Sequence, residues 1–264
     1  MELHLLNYAD DRFNHKGGRF KQNQINFNLS AKKQGISNII SWNWEKLTET
    51  DFYKQNQEYL ERDSHNNGFV WKPYIILDTL RKISFGDIVF YHDSVPWGLN
   101  RSINPLVDLC ISNTGLLLWQ YGQKERHKNR KWTKRDAFVY MGCDETKYHE
   151  GFVIQATVIF IQKNNFNLDL VSEWLMYNLD ERIASSKPNT CGLPNLPGFV
   201  DHRHDQSILT NLSIKYNIKA TYMTSRKDIN LFIDLLNMPS FFREFYRKYI
   251  AIISRLGLRT YDKW

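Results

Sequence analysis

The stretch Gly86–Ser94, GDIVFYHDS, indicates a buried strand that ends in a polar cluster. Its run Ile88–Tyr91 is apolar and rich in residues that favour β-structure, and a Gly-Asp turn comes before it. In an open α/β sheet, ligands bind outside the carboxyl ends of the strands. Asp93, just beyond the apolar run, is therefore placed to hold a hard cation or to accept hydrogen bonds from ribose hydroxyls. The alternative is a strand that ends in a capping Asp and a turn.

A helix is predicted immediately before this strand. Apolar side chains recur at helical spacing over Tyr74–Ile83, and Pro73 suits the first turn of a helix. A helix that leads directly into a buried strand is typical of α/β proteins. Lys72 stands at the helix start, where it either neutralises a phosphate together with the helix amino terminus or is simply solvated.

Four stretches resemble one family. The segment WKPYIILDTLRKISFGDIVFYHDS (71–94) resembles the core of nucleotide-sugar-dependent glycosyltransferases with the GT-A fold, of the type found in bacterial capsule and lipopolysaccharide gene clusters. The first strand LHLLNY (3–8) and the segments WTKRDAF (132–138) and HRHDQSIL (202–209) resemble the same enzymes. The resemblance implies a single GT-A-like α/β domain over residues 1–238, with a mixed, mostly parallel central sheet flanked by helices.

The resemblance implies a binding site for the donor diphosphate at the end of the central strand. Enzymes of this family bind a metal and a sugar diphosphate through an Asp-x-Asp motif. Here Tyr91 stands at the first acidic position and Asp93 at the last. Asp93 would therefore bind the diphosphate, with Mg²⁺ or Mn²⁺ as the metal that suits such oxygen ligands. Further donor-binding candidates are Lys72, Tyr91 and Ser94.

The end of the first predicted strand would hold the nucleotide base of the donor, a UDP-sugar by the same resemblance. Tyr8 would lie against the face of the base, and Asn7 or Ala9 against its edge. The end of the first strand is a common ligand position in doubly wound folds. The alternative is a loop tyrosine that merely packs against the domain.

A second polar cluster, Asp201–Ser207, opens a predicted helix over Gln206–Tyr216. Its carboxylates and imidazoles could supply a base, a metal ligand or hydrogen-bond donors to a leaving diphosphate. The resemblance makes Asp205 the catalytic candidate, as a base that deprotonates the acceptor hydroxyl or as a ligand of that acceptor. The alternative is a capped and solvated helix start.

The remaining site candidates lie on the acceptor side. His204 and Gln206 flank Asp205, and the resemblance implies that both contact the acceptor. Gln155 is a polar residue in the longest β-rich run, Gly151–Gln162, and a buried polar side chain needs a partner. In the resembled enzymes this strand borders the acceptor pocket, so the resemblance makes Gln155 an acceptor-binding candidate. His202 is a candidate metal ligand beside Asp93.

Composition limits the classes of protein. The chain has 264 residues, of which 42% are hydrophobic and 14% aromatic, so it can bury a large core and is not disordered. No apolar run approaches the length of a membrane span, about 20 residues. Three widely spaced cysteines and a start without a basic segment indicate a cytoplasmic protein. The net charge of +7 suits an anionic partner.

Two basic segments could meet that partner. The segment 122–134, GQKERHKNRKWTK, is a solvated loop or a clamp for a diphosphate, and the resemblance adds Lys134 and Arg135 as phosphate or acceptor contacts. Residues 239–264 predict a basic, aromatic helix that lies on the inner face of an anionic membrane or packs on the domain. The chain has no zinc-finger, helix-turn-helix or RNP pattern, which argues against nucleic acid.

These observations together favour a hexosyltransferase-like glycosyltransferase. It would move a sugar from a nucleoside diphosphate sugar to a hydroxyl of a glycan or lipid-linked acceptor in surface polysaccharide synthesis. The second hypothesis is a non-catalytic nucleotide- or glycan-binding domain of the same fold, and Tyr91 at the first acidic position favours it. A nucleic-acid-binding protein ranks last, since it rests on charge alone.

Overall fold

The computed structural model describes residues 1–12, 19–63 and 67–222. Its strands are Leu3–Ala9 (β1), Asn38–Asn43 (β2), Ile88–His92 (β3), Leu116–Gln120 (β4), Ile154–Gln162 (β5) and Thr221–Tyr222 (β6). They form one sheet in the order β2-β1-β3-β5-β4-β6. β1 runs parallel to β2 and β3, β4 runs parallel to β6, and β5 is antiparallel to both of its neighbours. The predicted mixed, mostly parallel sheet is therefore confirmed.

The helices are Phe20–Lys33 (α1), Trp44–Thr48 (α2), Asp51–Leu60 (α3), Trp71–Lys82 (α4), Asn104–Ser112 (α5), Arg135–Tyr140 (α6), Thr146–His149 (α7), Asn165–Asn178 (α8), Glu181–Ala184 (α9) and Asp205–Lys215 (α10). They cover both faces of the sheet. α4, α8 and α10 bury residues such as Ile76, Trp174 and Leu209 in one core. α1 and α5 bury Phe27 and Leu106 in the other core, so the molecule is an α/β protein with a sheet between two helical layers.

Successive residues of a strand point to opposite faces of a sheet, and β3 shows this alternation. Val89 and Tyr91 enter the core under α4, whereas Ile88 and Phe90 enter the core under α1. All five residues of β3 are buried, as its apolar sequence predicts. The carboxyl end of β3 therefore opens between the two helical layers, where Asp93 follows.

The pairing of β4 with β5 contains a bulge. Leu117 lies opposite Phe160 and Trp119 opposite Gln155, so a single residue of β4 faces four residues of β5. A bulge bends its strand and takes backbone groups out of the regular ladder. Ala156 lies within this bulge, and its carbonyl oxygen accepts a hydrogen bond from the side chain of Lys72.

α1 forms where helical spacing predicts it, but with a different buried face. The spacing of Ile25, Leu29 and Ala31 predicts a helix over Gln22–Lys33 with these residues on its apolar face. Ala31 is buried, but Ile25 and Leu29 are 52% and 54% exposed. Gln24 and Phe27 are buried instead. The Gln24 amide donates to Asn7 Oδ1 and to the carbonyl oxygen of Trp42, at 2.9 Å each. These polar contacts hold α1 on the sheet in a rotation that hydrophobicity alone does not predict.

Some predictions concern residues that the structure does not describe. The C-terminal helix over 239–264 and the domain boundary at residue 238 lie outside the described residues and stay predictions. Among the helices in residues 1–12, 19–63 and 67–222, none has both the length and the apolar character to span a bilayer.

Candidate functional site

Lys72, Asp93 and Asp205 meet at one point. Lys72 lies in the first turn of α4, and its side chain is 7% exposed. Its Nζ is 3.0 Å from Asp205 Oδ2 and 3.4 Å from Asp93 Oδ1, and it donates to the carbonyl oxygen of Ala156 at 3.1 Å. The tertiary structure thus joins two carboxylates that are far apart in sequence through a single buried ammonium.

The backbone and a phenol hold Asp93 in place. The Asp93 N–H donates to the carbonyl oxygen of Thr157 at 2.9 Å, and the Tyr91 hydroxyl donates to Asp93 Oδ1 at 2.6 Å. Burial raises the pKa of Tyr91, so its phenol stays protonated and remains a donor. Ser94 Oγ donates to the carbonyl oxygen of Tyr8 at 2.7 Å, which ties the ends of β1 and β3 together.

Asp205 is the first residue of α10, and the residue before it is strained. His204 has φ of 51° and ψ of −121°, a backbone conformation that residues other than glycine rarely adopt. Its ring is held by a hydrogen bond from Nδ1 to the carbonyl oxygen of Ala184 at 2.8 Å. The Trp174 indole donates to the Asp205 carbonyl oxygen at 3.0 Å. Strained backbone conformations of this kind are concentrated at functional sites, where the contacts around the residue hold it in place.

The charges of this cluster are coupled. Burial raises the pKa of Asp205 to about 6, although Lys72 acts in the opposite direction. Asp205 Oδ2 forms an ion pair with Lys72 but accepts no well-aligned hydrogen bond from the described residues. Burial lowers the pKa of Lys72, but Asp205 and Asp93 outweigh burial, so the pKa is raised and the ammonium stays charged. With both carboxylates ionised, the cluster carries one net negative charge.

A cavity of about 280 Å³ lies beside this cluster, at the carboxyl ends of β1 and β3. Most of its wall is aromatic or charged. The aromatic side chains are Tyr8, Phe20, Trp44, Phe69 and Trp71; the charged ones are Asp10, Arg12, Lys72 and Asp93; Leu60, Asn67, Ser94 and Val95 complete the wall. This is the edge at which an open α/β sheet binds ligands.

The far part of the cavity wall contains residues that the sequence did not single out. Arg12 pairs with Asp10 at 2.7 Å, and its guanidinium lies 3.0 Å from the centroid of the Trp44 ring. The Tyr8 hydroxyl also donates to Asp10, at 3.1 Å. Asp10 directly follows β1, so the rule that pointed to Asp93 after β3 would have found it.

The predicted donor residues divide into two groups. Tyr8, Lys72, Asp93 and Ser94 line the cavity, and Tyr91 supports Asp93 from behind. One face of the Tyr8 ring is stacked on Trp71, with the centroids 4.0 Å apart.

Asn7 and Ala9 are not part of the cavity wall. The Asn7 amide donates to Asn28 Oδ1 at 2.7 Å and accepts from Gln24, so it fixes α1 to β1. Ala9 is buried at the end of β1. Their predicted contacts with a base stay predictions.

The predicted acceptor residues are not all neighbours. Asp205 and its neighbours His204 and Gln206, at the start of α10, are not part of the cavity wall. Gln155 is 1% exposed, and its amide has no hydrogen-bond partner among the described residues. Its register partner Trp119 packs in the core under α1, which places Gln155 on the sheet face opposite Lys72. The acceptor role of Gln155 stays a prediction, and this orientation does not favour it.

His202 does not offer a nitrogen to a metal. Its Nε2 donates to the carbonyl oxygen of Ile183 at 2.9 Å, and its Nδ1 accepts from the Lys134 N–H at 3.3 Å. Burial lowers the pKa of His202 well below its usual value, so the ring is neutral. A metal at Asp93 would therefore rely on that carboxylate, with phosphate and water as the other ligands. Mg²⁺ accepts such a set, but His202 would have to break its backbone hydrogen bonds to join it.

A different group of side chains has ligand atoms close enough together to hold a metal ion. Glu2, His4 and Asp87 offer three ligand atoms within 4.8 Å of one another, and no other group of three is found in the described residues. It lies at the amino ends of β1 and β3, away from the cavity. Asp87 already accepts from the backbone N–H groups of Glu2 and Ser84, at 2.6 and 3.1 Å.

The segment WTKRDAF anchors a loop. Lys134 Nζ donates to the carbonyl oxygens of Ser185 and Lys187, at 3.1 and 3.0 Å. Asp136 accepts from the backbone N–H groups of Thr190 and Cys191. Lys134 is 3% exposed, which leaves it little surface for a phosphate or an acceptor. In this structure, the segment holds the long loop before α10 in place.

Comparisons with known proteins add little to this geometry. No protein-family model matches the chain, and no curated protein matches it significantly. Mouse xyloside xylosyltransferase 1 in its apo form is similar in structure, with a TM-score of 0.42 and 8% identity over 84% of this chain and 85% of that one. A candidate glucose-1-phosphate thymidylyltransferase from Bacillus anthracis, in complex with sucrose, gives 0.40 and 10% identity over 84% and 87%. Such weak likenesses do not bear on the activity.

Proposed function

We propose that this protein is a glycosyltransferase that moves a sugar from a nucleoside diphosphate sugar to the hydroxyl of an acceptor. One observation carries the proposal: Asp93 and Asp205 converge on Lys72, and Lys72 and Asp93 line an aromatic cavity. A sugar transfer needs a place for the leaving diphosphate and a carboxylate for the incoming hydroxyl. The two carboxylates stand at the ends of different elements, close enough to serve one reaction.

The donor would occupy the aromatic cavity. Its base and ribose would lie among the aromatic side chains and the Asp10–Arg12 pair, and its diphosphate near Asp93 and Ser94. Mg²⁺ or Mn²⁺ bound with the diphosphate at Asp93 would supply positive charge to the leaving group. The Tyr91 hydroxyl would keep Asp93 in one orientation through its hydrogen bond.

Asp205 would act on the acceptor. In an inverting reaction, the acceptor oxygen forms a bond to the anomeric carbon, the bond from that carbon to the diphosphate breaks, and Asp205 takes the hydroxyl proton. A raised pKa of about 6 suits this role, because a base works best when its pKa lies near the working pH. In a retaining reaction, Asp205 would instead bind the acceptor hydroxyl.

The biological setting is part of the same proposal. A lipid-linked or glycan acceptor in surface polysaccharide synthesis fits the sequence resemblance. The basic, aromatic segment 239–264 would then bring the cytoplasmic enzyme to the inner face of an anionic membrane.

The test is release of free nucleotide from a panel of nucleotide sugars that includes UDP-sugars. We expect turnover with at least one donor, and its loss in Asp93→Ala and Asp205→Asn. Asp108→Ala is the matched control, because Asp108 is exposed on α5, whose buried side chains pack on the opposite sheet face. Full activity in Asp93→Ala and Asp205→Asn would exclude the proposed roles.

The second candidate is a binding domain without turnover. It is favoured by Tyr91 at the first acidic position and by the ammonium of Lys72, which already pairs with both carboxylates. Binding of UDP by calorimetry, together with no turnover of any donor in the panel, would identify it.

A further inference from the structure

We propose that Lys72 is a positioning residue: its ammonium holds Asp93 and Asp205 at one point, and it does not itself bind the phosphates of the donor. The sequence alone leaves two other roles for Lys72, a phosphate ligand or a solvated side chain at the helix start. This inference deepens the proposed function, and it rests on that function for what the two carboxylates do.

Protein oxygen atoms already surround the ammonium of Lys72, one as a hydrogen-bond acceptor and two as ion-pair partners. An ammonium has three N–H donors and no acceptor. Around Nζ lie three oxygen atoms: the carbonyl of Ala156 at 3.1 Å, Asp205 Oδ2 at 3.0 Å and Asp93 Oδ1 at 3.4 Å. The side chain is 7% exposed, so little of it faces the cavity. A phosphate would have to displace one of these partners to reach it.

The protein holds Lys72 and Asp205 through a common support. Gly68, in the turn before α4, packs against Ala184 so closely that an added Cβ would lie 2.5 Å from the Ala184 Cβ. The carbonyl oxygen of Ala184 accepts from the ring of His204, the residue before Asp205. The turn that leads to Lys72 and the strained residue that leads to Asp205 therefore rest on the same residue.

The charge balance requires the ammonium. Without Lys72, a buried carboxylate at Asp205 and a partly buried one at Asp93 would face each other with no cation between them. Breaking a buried ion pair from one side is strongly destabilising, because it leaves an uncompensated charge. Removal of Asp205 together with Lys72 restores the original net charge of the cluster, which gives a charge-matched pair of variants.

Binding of UDP tests the absence of a phosphate contact. The double variant Lys72→Met/Asp205→Asn has the same net charge in the cluster as the wild type. We expect its Kd for UDP, measured by calorimetry, to stay within about threefold of the wild-type value. A loss of affinity of about tenfold or more that persists in the Asp93→Ala background would overturn the inference, since the position of Asp93 could not cause it there and a direct contact between Lys72 and the diphosphate would remain.

Stability tests the positioning role without any nucleotide. We expect Lys72→Met to lower the Tm by roughly 10 °C, and Asp205→Asn to restore part of this loss in the Lys72→Met background. Lys82→Met is the control, since Lys82 lies on the same helix and pairs with Asp78 at the surface. An equal, small effect of Lys72→Met and Lys82→Met would contradict the inference.

Kinetics separate positioning from binding. Lys72→Arg keeps the charge but shifts the point at which the carboxylates meet. We expect kcat to fall about tenfold or more, with the donor KM within about threefold of wild type. A rise in KM larger than the fall in kcat would count against the inference. If the wild type binds neither UDP nor any donor, the proposed function fails. The Tm measurements still test whether Lys72 is a positioning residue.

Discussion

Asp87, directly before β3, and Asp205, at the start of α10 near the carboxyl side of β3, are aspartates of opposite character. At the amino end, Asp87 is 6% exposed, and burial would raise its pKa, but hydrogen bonds from the backbone of Glu2 and Ser84 outweigh this and lower it. At the carboxyl side, Asp205 is 5% exposed, and burial raises its pKa to about 6. Backbone N–H donors satisfy Asp87, whereas one oxygen of Asp205 has only an ion pair.

The comparison separates a structural carboxylate from a functional candidate. Asp205 lies deeper in the protein than Asp87, but their exposed fractions are nearly equal, so the exposed fraction alone does not distinguish them. The supply of hydrogen-bond donors does, because a carboxylate with backbone donors is stable as an anion, and one without them remains able to take a proton. Perturbed carboxylates of the second kind are typical of active sites.

The largest expected effect is on turnover in Asp205→Asn. Loss of a general base costs roughly 10²–10⁴-fold in rate. We expect kcat to fall within that range while the Tm changes little, because Lys72 keeps Asp93 as its counter-ion and the cluster becomes neutral. Initial rates and a thermal melt of the same preparation measure this. A fall in Tm that matches the loss of activity would mean that Asp205 is structural like Asp87.

Gly68→Ala should destabilise the fold by about 3 kcal/mol or more. Gly68 has φ of 60°, and an added Cβ would meet Ala184 at 2.5 Å, so backbone strain and a clash combine. Gly86→Ala is the control: its φ is also positive, at 90°, but nothing lies within 4 Å of the added Cβ. We expect Gly86→Ala to lower the free energy of unfolding, measured in urea, by only about 1 kcal/mol. Equal losses would show that the contact with Ala184 does not matter.

Asp87→Asn should reverse the pattern seen for Asp205. The amide group accepts less well than a carboxylate, so the backbone N–H groups of Glu2 and Ser84 lose part of their hydrogen bonding. We expect a loss of about 1–3 kcal/mol in the free energy of unfolding, with kcat unchanged. Chemical denaturation and initial rates report the two quantities, and a selective loss of kcat would refute the contrast between the two aspartates.

The smallest effect is a change with pH. If Asp205 is the base, kcat/KM should rise with pH and reach half its plateau near pH 6, the pKa of the free enzyme's base.

Stability changes in the opposite direction. The folded pKa of Asp205 is above its unfolded value, so its favourable contribution is present at low pH and is lost as the pH rises to about 6. Asp87 has a lowered pKa, so its contribution is lost only in acid. Thermal melts of Asp205→Asn between pH 4 and 6 should lack the decline with pH that the wild type shows. If the Tm of Asp205→Asn declines with pH as the wild-type Tm does, the decline is due to another titratable group.

Local pattern predicted a large part of the fold. α4 and β3 lie where the apolar spacing and the Pro and Gly signals place them, since both elements depend on contacts close in sequence. The buried face of α1 was not predictable from Ile25 and Leu29, because Gln24 binds backbone and side chains of two strands. The anchoring role of Lys134 likewise depends on carbonyl groups of a distant loop.

The sequence by itself determined an α/β protein with a polar cluster after its central strand and a second one at the start of a late helix. Only the tertiary structure decided that these clusters meet, and that Lys72 joins them. The reason is that a bulge in β5, the close packing of Gly68 on Ala184 and the strained backbone of His204 all depend on register and contact between distant segments. Hydrophobic periodicity specifies which residues are buried, but it does not specify which buried charges become neighbours.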